Sequence, residues 1–481
     1  MSTSVHRQGV GFRSERGPLL IALMLATGLV AIDATILATS VPSIVADLGD
    51  FSQFPWLFSI YLLAQAVSVP VYAKLSDTVG RKPIILIGIS LFLVGSILCG
   101  FAWSMPALIL FRVVQGLGAG AVAPMSITIA GDIYSLAERA KVQGYLASVW
   151  AISSVVGPSL GGLFSEFVSW RFIFFVNIPL CLIAGWMLIR NFHEKIERTR
   201  HTVDYAGAAV LTVALTSLIL AVLEGGQAWA WDSPASFAAF GIGAVAVVAF
   251  LLVERHAAEP VLPLWVFSRR LLLTTTLISL GVGAVLVGLT SFVPTFLEGA
   301  TGVSPLVAGL AVASITIGWP IAASQSGRVY LRIGFRSTVL IGLAVAVAGA
   351  VSLALSAPNP NLVLTTVSCF VVGLGLGFVA TPSLIAAQSS VPWNERGVVT
   401  GTNLFARSIG SAVGVAIFGA IANGIYAAHG DGGTSDPATI ALASGSAFIA
   451  VAVCAGATVL AAVSMPRIVT EVVAEPAPEP A

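Results

Sequence analysis

Charged residues are scarce in this chain. Asp, Glu, Lys and Arg make up 9% of its 481 residues, against about 25% in a typical soluble domain. The formal net charge is +1, so nothing argues for a nucleic-acid partner and none is expected. Cysteine is scarcer still. Cys99, Cys181, Cys369 and Cys454 each stand alone in an apolar run, with no Cys-x-x-Cys and no nearby His. They read as small core residues and carry no redox or metal signal. A nucleophile–base pair, a metal-ligand cluster and a Walker loop are all missing. The chain is therefore not expected to be an enzyme, to hold a metal or cofactor, or to hydrolyse ATP as its own drive. A channel needs a pore-lining repeat, and none appears.

Apolar side chains are what the sequence has in abundance. They make up 57% of the chain, and its mean hydropathy is +0.97, which marks a membrane protein. A helix needs about 20 apolar residues to cross the hydrocarbon core. Fourteen such runs are found, at about 19–43, 53–75, 83–102, 106–130, 141–164, 171–190, 204–224, 235–253, 271–297, 304–326, 336–356, 361–387, 397–424 and 438–465. The first reads as a membrane helix rather than a cleaved signal peptide, since it is too long and lacks a small-residue cleavage site.

Basic residues orient these helices. With a cytoplasmic N-terminus, inside segments hold 20 of the 23 Lys and Arg, and outside loops hold Arg171 alone. Arg112 and Arg407 fall inside helices. Both termini are then cytoplasmic, and the expected location is a bacterial cell membrane, cytoplasmic or inner. The tail at 466–481 is rich in Pro, Ala and Glu and is expected to be disordered.

The chain also repeats. "AKLSDTVGRK" (73–82) returns as "GRVYLRIGFR" (327–336) at an offset of 254, and "ERAKVQG" (138–144) returns as "ERGVVTG" (395–401) at an offset of 257. Helices 1–6 thus resemble helices 9–14 in the same orientation, a pattern known from transporters. The expected organisation is an all-α polytopic fold. It has a cytoplasmic segment 1–18, a six-helix half at 19–190, a loop at 191–203, two inserted helices at 204–253, a loop at 254–270, a second half at 271–465, and the tail.

The turn "YAKLSDTVGRKPI" (72–84) gathers four of the few charges: Lys74, Asp77, Arg81 and Lys82. The bases serve topology. Asp77 does not, because acids contribute little to orientation. It can pair with the local Arg or meet the positive N-terminus of another helix, and Gly80 permits a tight turn with positive φ. The functional reading is a lock that closes in one conformation and opens in the other.

Here a family resemblance enters. "KLSDTVGRK" resembles the signature loop of the major facilitator superfamily, with Ala73 where the family has Gly, so looser helix packing is expected there. "AIDATILATSVPSI" (31–44), with Asp33, Thr35 and Pro42, "RVVQGLGAG" (112–120), "VVGPSLGG" (155–162), "WRFIFFVNIP" (170–179) and "FLEGATGVSPLVAGL" (296–310) resemble motifs of its fourteen-helix drug:proton antiporter branch. The resemblance implies that superfamily's fold, alternating access and proton-coupled export.

Asp33 is the one acid placed deep in a helix, and Arg112 lies within about 6 Å of it in depth by helical rise. An intramembrane acid is a functional hypothesis by default. Arg stays protonated, so it modulates Asp33 rather than carrying the proton. Gly157 and Gly161 share a helix face that admits a close neighbour, and Pro158 bends helix 5; with Gly162 they form the antiporter motif. Gly116, Gly118 and Gly120 are less specific and read equally as packing or as part of the helix 4 motif's function. Gln65, Gln115, Asn403 and Arg407 are candidates for cavity lining. Asn403 and Arg407 read equally as a structural polar pair. The expected function is a proton-coupled antiporter, monomeric in the bilayer, that exports lipophilic, monovalent cationic compounds with the proton gradient as energy source. The alternatives are export of an endogenous metabolite or lipid, or import, on the same fold.

Overall fold

In the computed structural model, residues 10–49, 56–194, 205–225, 229–230, 232–257, 264–428 and 436–467 are described. Most of the expected loop at 191–203 and of the tail at 466–481 lies outside them, as do the side chains of Pro42 and Pro158.

The apolar runs form helices α1 Gly17–Leu48, α2 Trp56–Val79, α3 Arg81–Gly100, α4 Met105–Ile133, α5 Leu136–Phe167 and α6 Phe172–Asn191. After them come α7 Tyr205–Glu224 and α8 Pro234–His256. The second half holds α9 Arg270–Thr301, α10 Pro305–Ile333, α11 Phe335–Ser356, α12 Leu362–Ser389, α13 Arg396–Ala428 and α14 Pro437–Ser464. Thirteen of these are long and apolar enough to cross a membrane, and α7 contributes the shorter apolar stretch Ala206–Leu218, among the described residues.

Several helices outrun their apolar cores. The α5 helix starts at Leu136, ahead of the expected 141, because the Glu138 carboxylate accepts from the Ser135 N–H at 3.0 Å and caps the first turn. Lys141 therefore lies in a helix, not a loop.

Each half has its own core. Phe92, Met125 and Leu146 belong to buried clusters of α1–α6, and Phe296, Phe335 and Phe448 to one of α9–α14. The internal repeat is structural. Gly80 and Gly334, matched in sequence, take φ 101° and 82° at the α2–α3 and α10–α11 turns, a backbone region that favours glycine. The α4 helix is wedged between α2 and α3. A Cβ at Gly118 would stand 2.4 Å from the Phe92 nitrogen, and one at Gly116 2.6 Å from the Tyr61 oxygen. These glycines are packing residues.

The inserted helices α7 and α8 pack on each other, and α7 also packs on α2 and α13. Leu211 and Leu215 of α7 share a cluster with Leu63 and Val67 of α2 and Phe405 of α13. The insert therefore covers a seam between the halves.

Candidate functional site

Two polar sites stand out in this apolar framework. The first is inside α1–α6. Asp33 and Arg112 are each only 1% exposed, and Asp33 Oδ2 lies 2.6 Å from an Arg112 nitrogen. Gln115, three residues after Arg112 on the same face of α4, donates to Asp33 Oδ1 at 2.7 Å. Asn177 of α6 donates to the same oxygen at 3.4 Å and to Ser96 Oγ at 3.2 Å. The guanidinium also donates to the Leu57 carbonyl and to Gln115 Oε1, at 3.1 and 2.7 Å, and lies 4.0 Å from the Tyr61 ring centroid. A buried charge is tolerable only when paired and hydrogen-bonded, and five helices supply those bonds. Gln115 is fully buried in this network and does not line a cavity, because its position on α4 turns it toward α1 and α3. Asn177, Ser96 and Tyr61 were not singled out in the sequence. For Asn177 a signal existed: an amide inside an apolar run and inside the quoted 170–179 motif.

Helix α1 is seated on the antiporter motif of α5. Thr35 Oγ1 donates to the Ser153 carbonyl at 2.9 Å, and Ser40 Oγ to the Gly161 carbonyl at 3.3 Å. A Cβ at Gly157 would stand 2.0 Å from Thr35 Oγ1. Gly157 and Gly161 thus accept α1 two and seven residues past Asp33. Gly162 faces open space and takes no part.

The second site is the charged turn. Arg81, fully buried, lies 2.8 Å from Asp77 Oδ1 and 3.0 Å from Asp132 Oδ2. It donates to the carbonyls of Ser76 and Trp393 at 2.9 and 2.6 Å, and its guanidinium lies 3.8 Å from the Trp393 ring centroid. Asp77 accepts from the N–H groups of Gly397 and Val398, at 3.0 and 2.8 Å. These belong to the first turn of α13, so the acid meets both the local Arg and a helix N-terminus. Arg396 closes the ring on Asp132 at 3.2 Å. Lys82 instead holds the end of α6, donating to the Ile189 and Phe192 carbonyls at 2.9 and 2.5 Å, and the Glu194 carboxylate accepts from the Arg81 and Lys82 N–H groups at 3.0 Å each. Lys74 is half-buried in α2, three residues before Asp77. Asp132, Trp393 and Glu194 were missed. Their partners lie far off in the chain, beyond the reach of local pattern.

Packing at this turn is tight rather than loose. Ala73 is 1% exposed, and a Cβ at Gly401 would stand 2.3 Å from the Ala73 Cβ. The small residue has moved to the opposite helix.

Two more bonds join the halves near the same end. Arg139 donates to Ser389 Oγ at 3.1 Å, and the Tyr330 hydroxyl donates to the Leu136 carbonyl. Toward mid-helix, Ser154 and Thr316 hydroxyls meet at 3.2 Å. The bonds between the halves described above thus lie at this end or toward mid-helix. The opposite end has instead a clamp within the first half, where Arg171 and Trp170 donate to Asp47 at 2.6 and 3.1 Å. The Arg171 bond holds the Asp47 carboxyl below its usual range.

The remaining candidates separate. Asn403 is buried, donates to the Val399 carbonyl and accepts from Ser279 at 2.8 Å, so it ties α13 to α9 and lines no cavity. Arg407 does not pair with it; its guanidinium lies 5.4 Å from the Trp319 ring centroid on α10. Gln65 is half-exposed.

Residues 23–415 match the family described as the Major Facilitator Superfamily. Multidrug resistance protein 3 of Bacillus subtilis (strain 168) is 34% identical over 408 residues, covering 85% of this chain and 80% of that protein. Multidrug transporter protein MdtP of the same organism is 33% identical over 413 residues, covering 86% of this chain and 76% of its own length. The crystal structure of the human organic anion transporter MFSD10 (TETRAN) superposes with a TM-score of 0.64 at 16% identity, covering 92% of this chain and 100% of that one, a likeness of fold alone. With helices, repeat, charged turn and family match in agreement, the chain belongs to the Major Facilitator Superfamily of membrane transporters.

Proposed function

We propose that this protein is a proton-driven exporter of lipophilic, drug-like compounds that works by alternating access between its halves. The observation that carries this reading is the burial of Asp33, 1% exposed, against Arg112 at 2.6 Å within α1–α6. Arg112 keeps its proton, so the exchangeable proton belongs to Asp33. Ionised, Asp33 holds α1 to α4 and α6. Protonation removes the charge that anchors Arg112, and the α1 contact with α4 weakens. Because α1 is seated on Gly157 and Ser153 of α5, its movement is passed to the helix that crosses to α10 at Ser154–Thr316. Drug-like cargo is supported by the names of the two Bacillus relatives, a multidrug resistance protein and a multidrug transporter, and outward transport is the direction by which a transporter confers resistance.

The basic loops support a cytoplasmic position for the charged turn. The end joined by Asp77, Arg81 and Trp393 is then the cytoplasmic end, and the arrangement described is the one in which cargo leaves outward and a proton enters. A monovalent cation, the cargo expected from sequence, meets an Asp33 whose oxygens already accept from Arg112, Gln115 and Asn177. It can compete for that acid only after the network has opened.

Everted membrane vesicles with an acidified lumen test the reading. Adding a transported dye should dissipate the proton gradient, and Asp33→Asn should abolish that response at equal expression. A gradient untouched by the wild type while dye accumulates would refute proton coupling.

A further inference from the structure

Arg407 is a charge without a counter-charge. It lies eleven residues past Arg396 in α13, roughly 16 Å along the helix. Its Nε is buried and has no hydrogen-bond partner, and no carboxylate pairs with it among the described residues. Its guanidinium has only the face of Trp319, at 5.4 Å. Arg112 shows what a guanidinium in this interior otherwise has: an aromatic face at 4.0 Å and the Asp33 carboxylate at 2.6 Å. The second half offers no such acid. Among the described residues between 270 and 464 the acids are Glu298, Glu395 and Asp436, none of them in a helix interior. Arg keeps its proton, so the uncompensated charge is permanent.

The position of this charge is as informative as its solitude. Phe405 and Ile409, on either side of Arg407, pack with Leu63 and Val67 of α2. Thr316, one turn from Trp319, bonds Ser154 of α5 at 3.2 Å. Both helices that carry the pair are thus held against the first half within a turn of it. Helices α10 and α13 are not closely packed along their length among the described residues, and the Arg407 guanidinium over the Trp319 ring joins them. The repeat adds a second line. At the offsets of 254 and 257, Trp319 corresponds to Gln65, and Arg407 to Trp150. Gln65 is half-exposed and Trp150 is 40% exposed. The matching positions of the two halves thus hold two indoles, an amide and a guanidinium, none of them paired with an acid among the described residues.

We propose that Arg407 and Trp319 form a cargo subsite, and that it takes an aromatic, lipophilic compound carrying a carboxylate. The guanidinium supplies the fork that a carboxylate accepts in bidentate fashion, and the indole supplies a flat apolar face for the aromatic body. Such a cargo brings the counter-charge that the fold leaves out. This deepens the exporter reading and rests on it for its transport meaning, but its test does not.

Three probes with one aromatic body separate the possibilities: naphthylacetate, naphthylacetamide and naphthylmethyl-trimethylammonium. Their binding to the purified full chain is read by tryptophan fluorescence, without a proton gradient. Wild type should bind the carboxylate about tenfold or more tighter than the amide, with the ammonium weakest. Arg407→Gln should erase that preference and leave amide affinity within about twofold, while Arg407→Lys should keep a preference for the carboxylate. Equal affinity for all three probes, a preference for the ammonium, or a uniform loss in Arg407→Gln would overturn the proposal. Loss of proton antiport in vesicles would refute the exporter mechanism and leave the binding preference standing.

Discussion

Arg81 of the first half lies over the Trp393 ring of the second, 3.8 Å from its centroid, while Asp77 Oδ1 stands 2.8 Å from the guanidinium. The guanidinium is fully buried between the halves, so the halves cannot part at this end without exposing or re-pairing it. Asp77 adds two bonds to the first turn of α13. Charge-assisted hydrogen bonds are worth about 1.5–3 kcal/mol each. Asp77→Asn should therefore shift the balance at least about tenfold away from this joined state and slow turnover, with cargo affinity largely kept. Spin labels at Val79 and Arg332, both exposed, report the opening as a longer distance. An unchanged distance distribution with normal export would reduce the turn to a topology signal.

The pair Ala73–Gly401 yields a sharper test of packing. Gly401→Ala places a methyl 2.3 Å from the Ala73 Cβ, so α2 and α13 must separate. Overpacking of this kind costs about 1–3 kcal/mol. Export and thermal stability should both fall. The exchanged variant Ala73→Gly/Gly401→Ala should recover them, because the next nearest atom to the new methyl is 3.7 Å away. Failure of the exchange to rescue would mean that the Gly at 401 serves something other than space.

Asp33 and Arg112 should be coupled in stability as well as transport. Asp33→Asn leaves the Arg112 charge buried with no counter-ion, a loss of about 3–5 kcal/mol by analogy with other buried pairs. The guanidinium keeps the Leu57 carbonyl, Gln115 and Tyr61, so the variant should still fold and insert. Its melting temperature should drop, and Asp33→Asn/Arg112→Gln should recover much of it. A single variant as stable as wild type would show that the charge of Asp33 does not hold Arg112.

Much of this architecture was legible in the sequence because membranes impose simple rules. Apolar run length yields the helices, and two repeated motifs yield the halves. Depth along a helix was enough to bring Asp33 near Arg112. It was not enough to say which way a side chain turns. From sequence Gln115 reads as cavity lining and Asn403 as cavity lining or half of a polar pair, because both are polar within apolar runs, and only the packing of α3 and α9 decides that they face inward. The lock was half legible. Asp77 and Arg81 are neighbours in the chain, whereas Trp393 is 312 residues from Arg81 and joins it only when the halves meet. Asp132 sits at a helix end, where an acid looks like an ordinary solvated residue.

Membrane orientation is open to a direct check with single cysteines in a variant lacking Cys99, Cys181, Cys369 and Cys454. Asn359, exposed between α11 and α12, should be labelled on intact cells by an impermeant thiol reagent once changed to Cys. Arg332→Cys, exposed at the other end of α10, should be labelled only after permeabilisation. The reverse pattern would invert the assignment of inside and outside.

The proposal that Asp33 exchanges its proton for cargo implies one proton per cargo molecule, since Asp33 is the one deep acid placed by the sequence. Its charge balance can be measured. One proton inward against a monovalent cation outward moves no net charge, whereas against a carboxylate anion it moves two positive charges inward. The membrane potential is worth about 2.3 kcal/mol per charge at 100 mV, so the two cargoes respond differently to it. The most direct measurement is transport in proteoliposomes with pH gradient and potential imposed separately. Wild type should be driven by the pH gradient for either cargo and by an inside-negative potential only for the anion, while Asp33→Asn should be driven by neither. Active, gradient-driven export by the Asp33→Asn variant would contradict the account.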